Sequence, residues 1–359
     1  MKVVMTVSNP FKPDPRVYKE AKSLVKAGHE VYVIAWDREG KHLEEEVVDG
    51  IKVIRLGPRA AYGAAMVLKL PLFYLNAFRL VLKLKPHVIH THDFDTAVLG
   101  FVLKFLKGTK WIYDVHDLYE TFVPPGAIRK LVLSLDRMLL LRADSVIVVN
   151  RGFVSLFRKW GRLGGIHVVM NSIGEIKQAF KKHRKFTVFY GGVLSPGRFI
   201  LEMTRISREL GISLRIAGFG TLEDRVREMC KRPCEFLGYL PRDKALKEMG
   251  TAHATFILYD PSSENNRLAT PNKLFEAMAL ETALLVVDGS TAAEIVREGR
   301  CGLPCEYDEK SVRENLLKLM DSPKDVRKMG RSGRRLFLKR YRWRRFEGVL
   351  AQLYGGKSI

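Results

Sequence analysis

The segment from Thr270 to Asp288 constrains the fold most, because it joins a short helix to a wholly apolar strand. Pro271 suits the start of a helix, where the N–H group that proline lacks has no intrahelical partner. Ala283 to Val287 is entirely apolar, which is typical of a strand that is covered on both faces. The segment therefore predicts a helix followed by a buried strand of a parallel sheet.

The predicted helix carries a cation and a carboxylate near its beginning. Because successive residues turn by about 100°, Lys273 and Glu276 share one face, whereas Leu274 and Met278 point towards a core. Helix N-termini bind phosphate, and a nearby carboxylate can hold ribose hydroxyls. An ordinary surface ion pair explains the same spacing, so both interpretations remain open.

Length and charge narrow the choice of fold and partner. With 359 residues, the chain is expected to form about two domains. Its 61 Lys and Arg residues exceed its 39 Asp and Glu residues, and the net charge is +22. Such an excess favours an anionic partner, namely nucleotide phosphates, an acidic membrane surface or nucleic acid.

The apolar segments predict a cytoplasmic protein. Met1 and Lys2 lead directly into a strand-like run that is too short for a secretory signal. No apolar run reaches the roughly 18 residues that a membrane-spanning helix needs. Residues 60–84 form an apolar and basic predicted helix with two open interpretations: a core helix, or a helix that rests on a membrane surface.

The four cysteines occur as two pairs, Cys230/Cys234 and Cys301/Cys305. Neither pair has the spacing that is common in zinc sites. Free thiols or a local disulfide are therefore expected in preference to a zinc site.

Strands and helices alternate along both halves of the chain. This alternation predicts two doubly wound, Rossmann-like α/β domains, each with a parallel sheet. The predicted boundaries are residues 1–172 for the first domain, 173–185 for a basic linker and 186–340 for the second domain. The predicted strands are residues 2–8, 30–36, 51–56, 87–92, 110–117, 145–150, 167–171, 186–194, 213–218, 234–240, 254–259 and 283–287.

In open sheets of this kind, ligands bind beyond the carboxyl ends of the strands. In the second domain, small residues at these ends let backbone N–H groups approach a diphosphate, which Arg198 can clamp. Turn formation explains each glycine taken singly, whereas the whole set predicts a nucleotide diphosphate site. The set consists of Gly191, Gly192, Arg198, Gly218, Gly220, Lys273 and Glu276.

In the first domain, the strand ends place histidines beside aspartates. His116 follows an apolar strand and lies between two aspartates, at a position where catalytic groups collect. His90, His92 and His116 could offer metal ligands, but their spacing fits no known set, so no metal is predicted. The sequence also lacks a serine-hydrolase elbow and a G-x-G-x-x-G dinucleotide fingerprint.

Short motifs in both halves of the chain match those of one enzyme family. The most specific is Pro-Asn-Lys-Leu-Phe-Glu-Ala-Met-Ala at residues 271–279, and Tyr190-Gly191-Gly192 with Arg198 adds to it. The first half contributes Asp14-x-Arg16-Val17 and the runs at residues 27–31, 113–118 and 143–147. Through these motifs, and over essentially its whole length, the chain resembles the retaining family 4 glycosyltransferases of the GT-B fold.

The resemblance implies two domains that face a central cleft, with residues 341–359 forming a helix that packs back on the first domain. It implies sugar transfer from a nucleotide-diphosphate donor, UDP or GDP, with retention of configuration and without metal or cofactor. By position, Arg198 would neutralise the donor diphosphate, and the helix opening at Asn272 and Lys273 would support it. Glu276 would bind the ribose hydroxyls, and His116 would contact the transferred sugar.

The chain departs from the family pattern at several positions. Leu268 stands where the family has a second glutamate, and Val193 where it has another phosphate-binding arginine. Residues 9–13 replace its glycine-rich first loop, and Glu281 replaces a glycine. These departures keep an inactive relative among the alternatives.

The main hypothesis is a metal-independent glycosyltransferase that acts on a glycan or lipid-linked acceptor. Its predicted location is the cytoplasm, and the charge favours peripheral contact with the anionic inner face of the membrane. The alternatives are a nucleotide-sugar epimerase on the same fold and a non-catalytic glycosyltransferase-like binding protein. No nucleic-acid partner is expected, because the sequence has no aromatic-rich basic surface or known module.

Overall fold

The computed structural model describes residues 1–12, 14–61 and 64–355, without the side chains of residues 64, 65 and 67. It divides the chain into two compact units. The first contains Met1–Met170 together with the residues from Phe346 onward, and the second contains Asn171–Arg345. Residues 173–185, which the sequence suggests as a linker, cluster with the second unit.

The first unit is built on an eight-stranded sheet with the order β3-β4-β2-β1-β5-β6-β7-β8. Neighbouring strands run parallel, except that β3 and β4 are antiparallel. The strands are β1 Lys2–Val7, β2 Glu30–Trp36, β3 Glu45–Val48, β4 Ile51–Leu56, β5 Val88–His92, β6 Lys110–Val115, β7 Ser145–Val148 and β8 Ile166–Val168.

Helices cover this sheet and connect its strands. They are α1 Pro15–Lys26, α2 Ala64–Leu84, α3 Phe94–Lys107, α4 Ala127–Arg142 and α5 Arg151–Lys159, with a 3-10 turn at Tyr119–Phe122. Asp14 caps α1 by accepting a hydrogen bond from the N–H of Val17. The predicted start of α2 at Ala60 differs from the observed one at Ala64, and Tyr62 and Gly63 lie outside the described residues.

The second unit has a six-stranded parallel sheet with the order β11-β10-β9-β12-β13-β14. Its strands are β9 Thr187–Val193, β10 Ser213–Phe219, β11 Cys234–Phe236, β12 Ala254–Ile257, β13 Ala283–Val287 and β14 Gly302–Cys305. Its helices are α6 Ile200–Glu209, α7 Glu223–Met229, α8 Arg242–Thr251, α9 Glu264–Leu268, α10 Asn272–Ala279, α11 Thr291–Gly299, α12 Glu309–Asp321 and α13 Pro323–Leu336. A π-helical turn at Phe337–Tyr341 leads to α14, Trp343–Leu353, whose residues from Phe346 onward belong to the first unit.

The predicted class, two Rossmann-like α/β domains with parallel sheets, is confirmed. The core also follows the sequence pattern, since every residue of β13 is buried and Leu274 and Met278 are fully enclosed. Cys230 and Cys234 form the local disulfide, whereas Cys301 and Cys305 are buried free thiols.

Several predicted boundaries were wrong. Strand β7 ends at Val148 rather than residue 150, and β11 ends at Phe236 rather than residue 240. The edge strands β3 and β14 were missed, because one is acidic and the other contains glycine and proline. The helix predicted over residues 324–354 is interrupted between α13 and α14, where Arg342 is extended.

Helix α2 has one buried side and one exposed side. Phe73, Ala77 and Val81 are buried, whereas Leu68, Leu72 and Leu75 are exposed. Among the helices in the described part of the chain, none combines the length and apolar character that a membrane crossing requires.

Replacing Gly100 by alanine should destabilise the first unit. A β-carbon at this position of α3 would lie 2.1 Å from Nε1 of the buried Trp111. Overpacking of this kind costs about 1–3 kcal/mol, which outweighs the gain of about 1 kcal/mol in helix propensity. Urea denaturation would measure the loss. Gly164→Ala is the control, because nothing lies within 4 Å of its added carbon; equal stability of the two variants would contradict the packing argument.

Candidate functional site

Lys273 is the central charge of the second unit's candidate site. It lies in the first turn of α10, directly after Pro271 and Asn272, and it is only 7% exposed. Its Nζ lies 3.7 Å from the ring centroid of Tyr190 and 5.8 Å from that of Tyr259. Among the described residues, this nitrogen has no hydrogen-bond partner. The helix therefore presents a buried cation that the protein itself does not pair.

The surroundings of Lys273 disfavour its charge. Burial lowers its pKa to about 7, and nearby Arg198 contributes in the same direction, whereas Glu276 opposes the shift. An anion that entered beside Nζ would reverse this balance, because an opposite charge favours the protonated amine. The site can therefore exchange a proton when it binds an anion near neutral pH.

Arg198 provides a second cation. It lies in the turn between β9 and α6, and its guanidinium carbon stands 3.7 Å from the ring centroid of Tyr259. Tyr259 follows β12, so a single aromatic ring lies beside both cations. Aromatic faces attract cations without neutralising them, which leaves the charge available to a phosphate.

The glycines of β9 and β10 allow the two strands and the side chain of Lys273 to lie close together. Gly192 has a φ of +150°, and a β-carbon there would lie 3.3 Å from Nζ of Lys273. Gly218 has a φ of +151°, and its β-carbon would overlap the carbonyl oxygen of Gly192 at 1.8 Å. A side chain at Gly191 would press on the ring of Phe189. Gly218 thus allows the two strand ends to meet, and Gly192 keeps the space above Lys273 open.

A cavity of about 190 Å³ opens at these strand ends. Gly191, Gly192, Gly218 and Glu276 line it, together with the aromatic rings of Phe219 and Tyr239, whose centroids are 6.0 Å apart. Glu276 is also 3.4 Å from a guanidinium nitrogen of Arg242. The cavity therefore brings a carboxylate, open backbone and stacking surfaces together.

Three further positions bear on the sequence prediction. The side-chain oxygen of Asn272 is buried and lacks a hydrogen-bond partner among the described residues, so it is available to a ligand. Leu268 ends the short helix α9 as a partly buried apolar residue, and Val193 is exposed at the end of β9. Neither Leu268 nor Val193 can supply the charge that the family pattern has at its position.

The candidate site of the first unit centres on His116, just beyond β6. Its Nδ1 lies 3.1 Å from Asp93, and its Nε2 lies 3.1 Å from Asp114. The N–H of His116 also donates to Asp93 over 2.9 Å. His92 is 3.1 Å from Nε2 of His116 and 3.3 Å from Asp114. Two carboxylates thus hold the ring from both sides.

These carboxylates determine the charge of His116. Burial opposes its protonation, but Asp93 and Asp114 outweigh burial and raise the pKa of His116 well above its ordinary value. Burial likewise disfavours the charge of Asp114, but Arg16 and His116 outweigh it and hold the pKa of Asp114 well below its usual range. His116 is therefore an imidazolium at neutral pH.

Arg16 extends the network into the core. Its guanidinium donates to both oxygens of Asp114, at 2.7 and 2.9 Å, and lies 3.1 Å from Glu20. Burial, opposed by Arg16, raises the pKa of Glu20. His90 lies 3.8 Å from Glu20 and 2.7 Å from the hydroxyl of Tyr354, which directly follows α14.

Part of this network has the composition of a metal site. The potential ligand atoms of Glu20, His90, His92 and Asp114 all lie within 4.8 Å of one another. This set contains Glu20, which sequence reasoning missed, instead of His116. However, Arg16 already binds both oxygens of Asp114 and places a positive charge beside the set. The donors fit an arginine–carboxylate network better than a divalent cation.

Sequence reasoning identified the cations and glycines but missed their neighbours. The structure brings Gly192, Arg198 and Lys273 close together, and it lines the adjoining cavity with Glu276. Sequence reasoning placed Asp93 and Asp114 beside the histidines without assigning them as partners of His116, and it gave the aromatic residues no role in the site. The end of an apolar strand at Asp114 and the doubled aspartates around His92 and His116 were the available signals. The missed aromatic residues are Tyr190, Phe219, Tyr239 and Tyr259.

Two conserved-domain families match the chain. Residues 13–172 match the family described as "Glycosyl transferase 4-like domain", and residues 184–322 match "Glycosyl transferases group 1". The two parallel-sheet units and these matches define a GT-B architecture. The chain belongs to the GT-B glycosyltransferase family, and its predicted resemblance to family 4 is confirmed.

Individual relatives agree with this assignment. The chain is 24% identical over 234 residues to "Probable glycosyltransferase WbjE" of Pseudomonas aeruginosa, over 57% of this chain and 58% of that protein, so the match spans little more than half of either. Sucrose-phosphate synthase from Thermosynechococcus elongatus has a similar structure, with a TM-score of 0.83, 16% identity and coverage of 99% of this chain and 98% of that one. The structure of Anabaena HepE in complex with UDP is also similar, with a TM-score of 0.73 and 14% identity. The match covers 99% of this chain and 100% of that one.

Replacing Asp93 by asparagine should lower the pKa of His116. In the wild type, the folded-state pKa is raised above the unfolded value of about 6.5. The imidazolium therefore stabilises the fold fully below about pH 6.5, and this contribution is lost as pH rises through the folded-state pKa. In Asp93→Asn this contribution should be smaller, and its loss should be complete at a lower pH. NMR titration of the imidazole carbons would measure the shift.

The histidine at position 29 provides an internal control for this titration. Burial and the N-terminal amine lower its pKa, and Asp93 is not among the groups that act on it. Its titration should be the same in both proteins. An unchanged His116 pKa in Asp93→Asn would show that the carboxylate does not set its charge.

Proposed function

We propose that this protein transfers a sugar from a nucleotide-diphosphate donor to a glycan or lipid-linked acceptor, with retention of configuration and without a metal. UDP and GDP are the preferred donor nucleotides. The observation that carries the proposal is the buried amine of Lys273, which lies at the start of α10 beside Arg198 without a hydrogen-bonding partner among the described residues. Retention rests on the family resemblance alone.

The chemistry of the donor explains why these cations matter. When the bond from the sugar to the diphosphate breaks, the leaving nucleotide diphosphate gains negative charge. Lys273 and Arg198, with the positive N-terminal end of α10, would stabilise that charge. Because the positive groups are already in place, little reorganisation is needed, and a metal ion would add no function that the site lacks.

The adjoining cavity suits the nucleoside. Glu276 would accept hydrogen bonds from the ribose hydroxyls, and Phe219 and Tyr239 offer faces on which a base can stack. Gly192 leaves room for the diphosphate to approach Lys273. Support also comes from HepE, which is described as a complex with UDP.

His116 is proposed to contact the transferred sugar from the first unit. An imidazolium held by Asp93 and Asp114 can donate a hydrogen bond to a sugar oxygen but cannot act as a base. We therefore assign it to positioning and charge stabilisation rather than to proton abstraction. These two hydrogen-bonded carboxylates would keep its orientation fixed while substrates exchange.

Glu276→Ala should weaken donor binding. A ligand that binds the folded state raises its stability by about 2.7 kcal/mol at a hundred times its dissociation constant. Thermal shifts with UDP, GDP, ADP and their sugar conjugates, in the presence of EDTA, should single out one nucleotide family. The shift should shrink in Glu276→Ala and persist in Glu228→Ala, which removes an exposed carboxylate from α7.

The same ligands separate the alternatives when product analysis with and without acceptors is added to the thermal shifts. An absence of any shift would refute the donor site and leave a non-catalytic relative. Conversion of a nucleotide sugar without an acceptor would identify an epimerase instead. Nucleotide binding without turnover on any acceptor would point to the effect of Leu268 in place of a glutamate.

Donor binding should weaken as pH rises above neutrality. The pKa of Lys273 is about 7 in the free protein and should increase when a diphosphate binds. Binding then takes up a proton, so the dissociation constant of UDP-glucose should rise by up to about tenfold per pH unit from pH 7 until the pKa of the complex is reached. Calorimetry in several buffers would measure both affinity and proton uptake.

Lys273→Met should bind UDP-glucose weakly and without this pH dependence. Lys231→Met is the matched control, because it removes an exposed lysine of the same unit. It should keep the wild-type profile. A pH dependence that survives in Lys273→Met would assign the proton to another group.

A further inference from the structure

Helix α2 presents an apolar stripe to solvent. Leu68, Leu72 and Leu75 recur at helical spacing and are all exposed, whereas the opposite side packs into the core. Arg79 and Lys83 continue the stripe towards the end of the helix and are also exposed. The outer side of α2 thus changes from apolar to basic along its length.

Helix α4 has an outer side of the same kind. Ile128, Leu131, Leu135 and Met138 recur at helical spacing and are exposed. Lys130, Arg137 and Arg142 are exposed among them. Leaving so many large apolar side chains in water on one helix is unusual for a surface without a partner.

Helix α3 joins the two. The hydroxyl of Tyr74 in α2 donates to the backbone oxygen of Asp95 in α3 over 2.6 Å. At the other end, Lys104 of α3 donates to the backbone oxygen of Arg142 in α4 over 2.8 Å. Phe105 and Leu106 of α3 are exposed. The three helices therefore form one layer, which we call the three-helix face.

The sheet topology places this layer on a single side. Helices α2, α3 and α4 each connect to a strand further along the order β4-β2-β1-β5-β6-β7, whereas α1 connects β1 to β2 in the opposite direction. Since crossover connections between parallel strands are right-handed, helices that advance in the same direction lie on the same face. The three-helix face is therefore continuous, and α1 covers the other side.

The three helices expose no acidic side chain among their described residues. Helix α2 contains no acidic residue, and the acidic residues of α3 and α4, Asp95 and Asp136, are both buried. The exposed charged residues within the three helices are therefore lysines and arginines, and the exposed carboxylate that follows α4, Asp144, is paired with Lys104. A protein–protein interface core is depleted in lysine, whereas interfacial helices on membranes combine apolar and cationic residues.

We propose that the three-helix face binds the surface of an anionic lipid bilayer. The apolar side chains would enter the boundary between headgroups and acyl chains, and the cations would contact anionic headgroups. The protein would then lie on the membrane without crossing it. The sequence suggested membrane contact for α2 only; the structure extends the contact to α3 and α4.

The orientation of this face is relevant to the acceptor. Helices that follow parallel strands begin at the carboxyl edge of the sheet, so Leu68 and Ile128 lie towards the edge that carries His116. A bound membrane would therefore be near the proposed sugar site. This orientation rests on the proposed function, since it assumes that the acceptor is lipid-linked, whereas the membrane contact itself does not.

Vesicle co-sedimentation tests the proposal. The full chain should bind vesicles of phosphatidylcholine with phosphatidylglycerol and bind much less to phosphatidylcholine alone, and high salt should weaken the binding. The double variant Leu72→Glu with Leu131→Glu should lower the partition coefficient at least about tenfold, because it removes apolar anchors and adds repulsion. These leucines are 48% and 58% exposed, so the fold should tolerate the change.

Leu163→Glu is the control, because Leu163 is 83% exposed and lies outside the three helices. It should bind vesicles like the wild type. No binding to anionic vesicles, or equal binding by the double variant, would overturn the proposal. A concentration-dependent dimer that the double variant abolishes, without vesicle binding, would assign the face to a second copy instead. The UDP thermal shift of the same proteins reports separately on the donor site, so the two proposals can fail independently.

Discussion

The organisation of the first unit depends on the buried carboxylate of Asp114. Arg16 from α1, His92 from the end of β5 and His116 from the loop beyond β6 all bind it. A buried carboxylate with no partner would be strongly destabilising, and breaking such a pair costs about 3–5 kcal/mol. One charge therefore fixes the position of the first helix relative to the sheet and, through the same oxygens, the orientation of the candidate catalytic histidine. Folding and site geometry cannot vary separately here.

The fold could be predicted because it depends on patterns that are local in sequence. Buried parallel strands are continuous apolar runs, as in β13, and the helices between them repeat an apolar face. The predictions that were wrong concern sheet edges and helix ends. Strand β3 forms only because β4 pairs with it, and its own sequence is acidic. The interruption between α13 and α14 coincides with the hydrogen bond from Trp343 to the distant Ile173, which no local pattern contains.

The residues of the candidate sites also fall into those that could be predicted from local sequence and those that could not. Lys273 and Glu276 could be found from helical spacing, and the glycines from their position after strands. The partners of His116 could not, because β5 and β6 must pair before Asp93 and Asp114 surround the ring. Tyr190 and Tyr259 were missed for the same reason, since Tyr190 lies in β9 and Tyr259 follows β12, and both meet Lys273 only in the folded sheet. Site residues that lie together on one helix or turn can therefore be predicted from the sequence. Site residues that strand pairing brings together cannot.

The two sites handle charge in opposite ways, and this contrast indicates what each is for. In the first unit, the charges of Arg16, Asp114 and His116 compensate one another, so the histidine keeps its proton and its orientation without a ligand. In the second unit, burial and Arg198 push the pKa of Lys273 down to about 7, because the opposing effect of Glu276 is too small to restore the balance. Burying a cation without a counter-charge is unfavourable, and an anionic ligand relieves that cost when it binds. We expect the compensated site to stay fixed, and we propose that the uncompensated site binds a diphosphate.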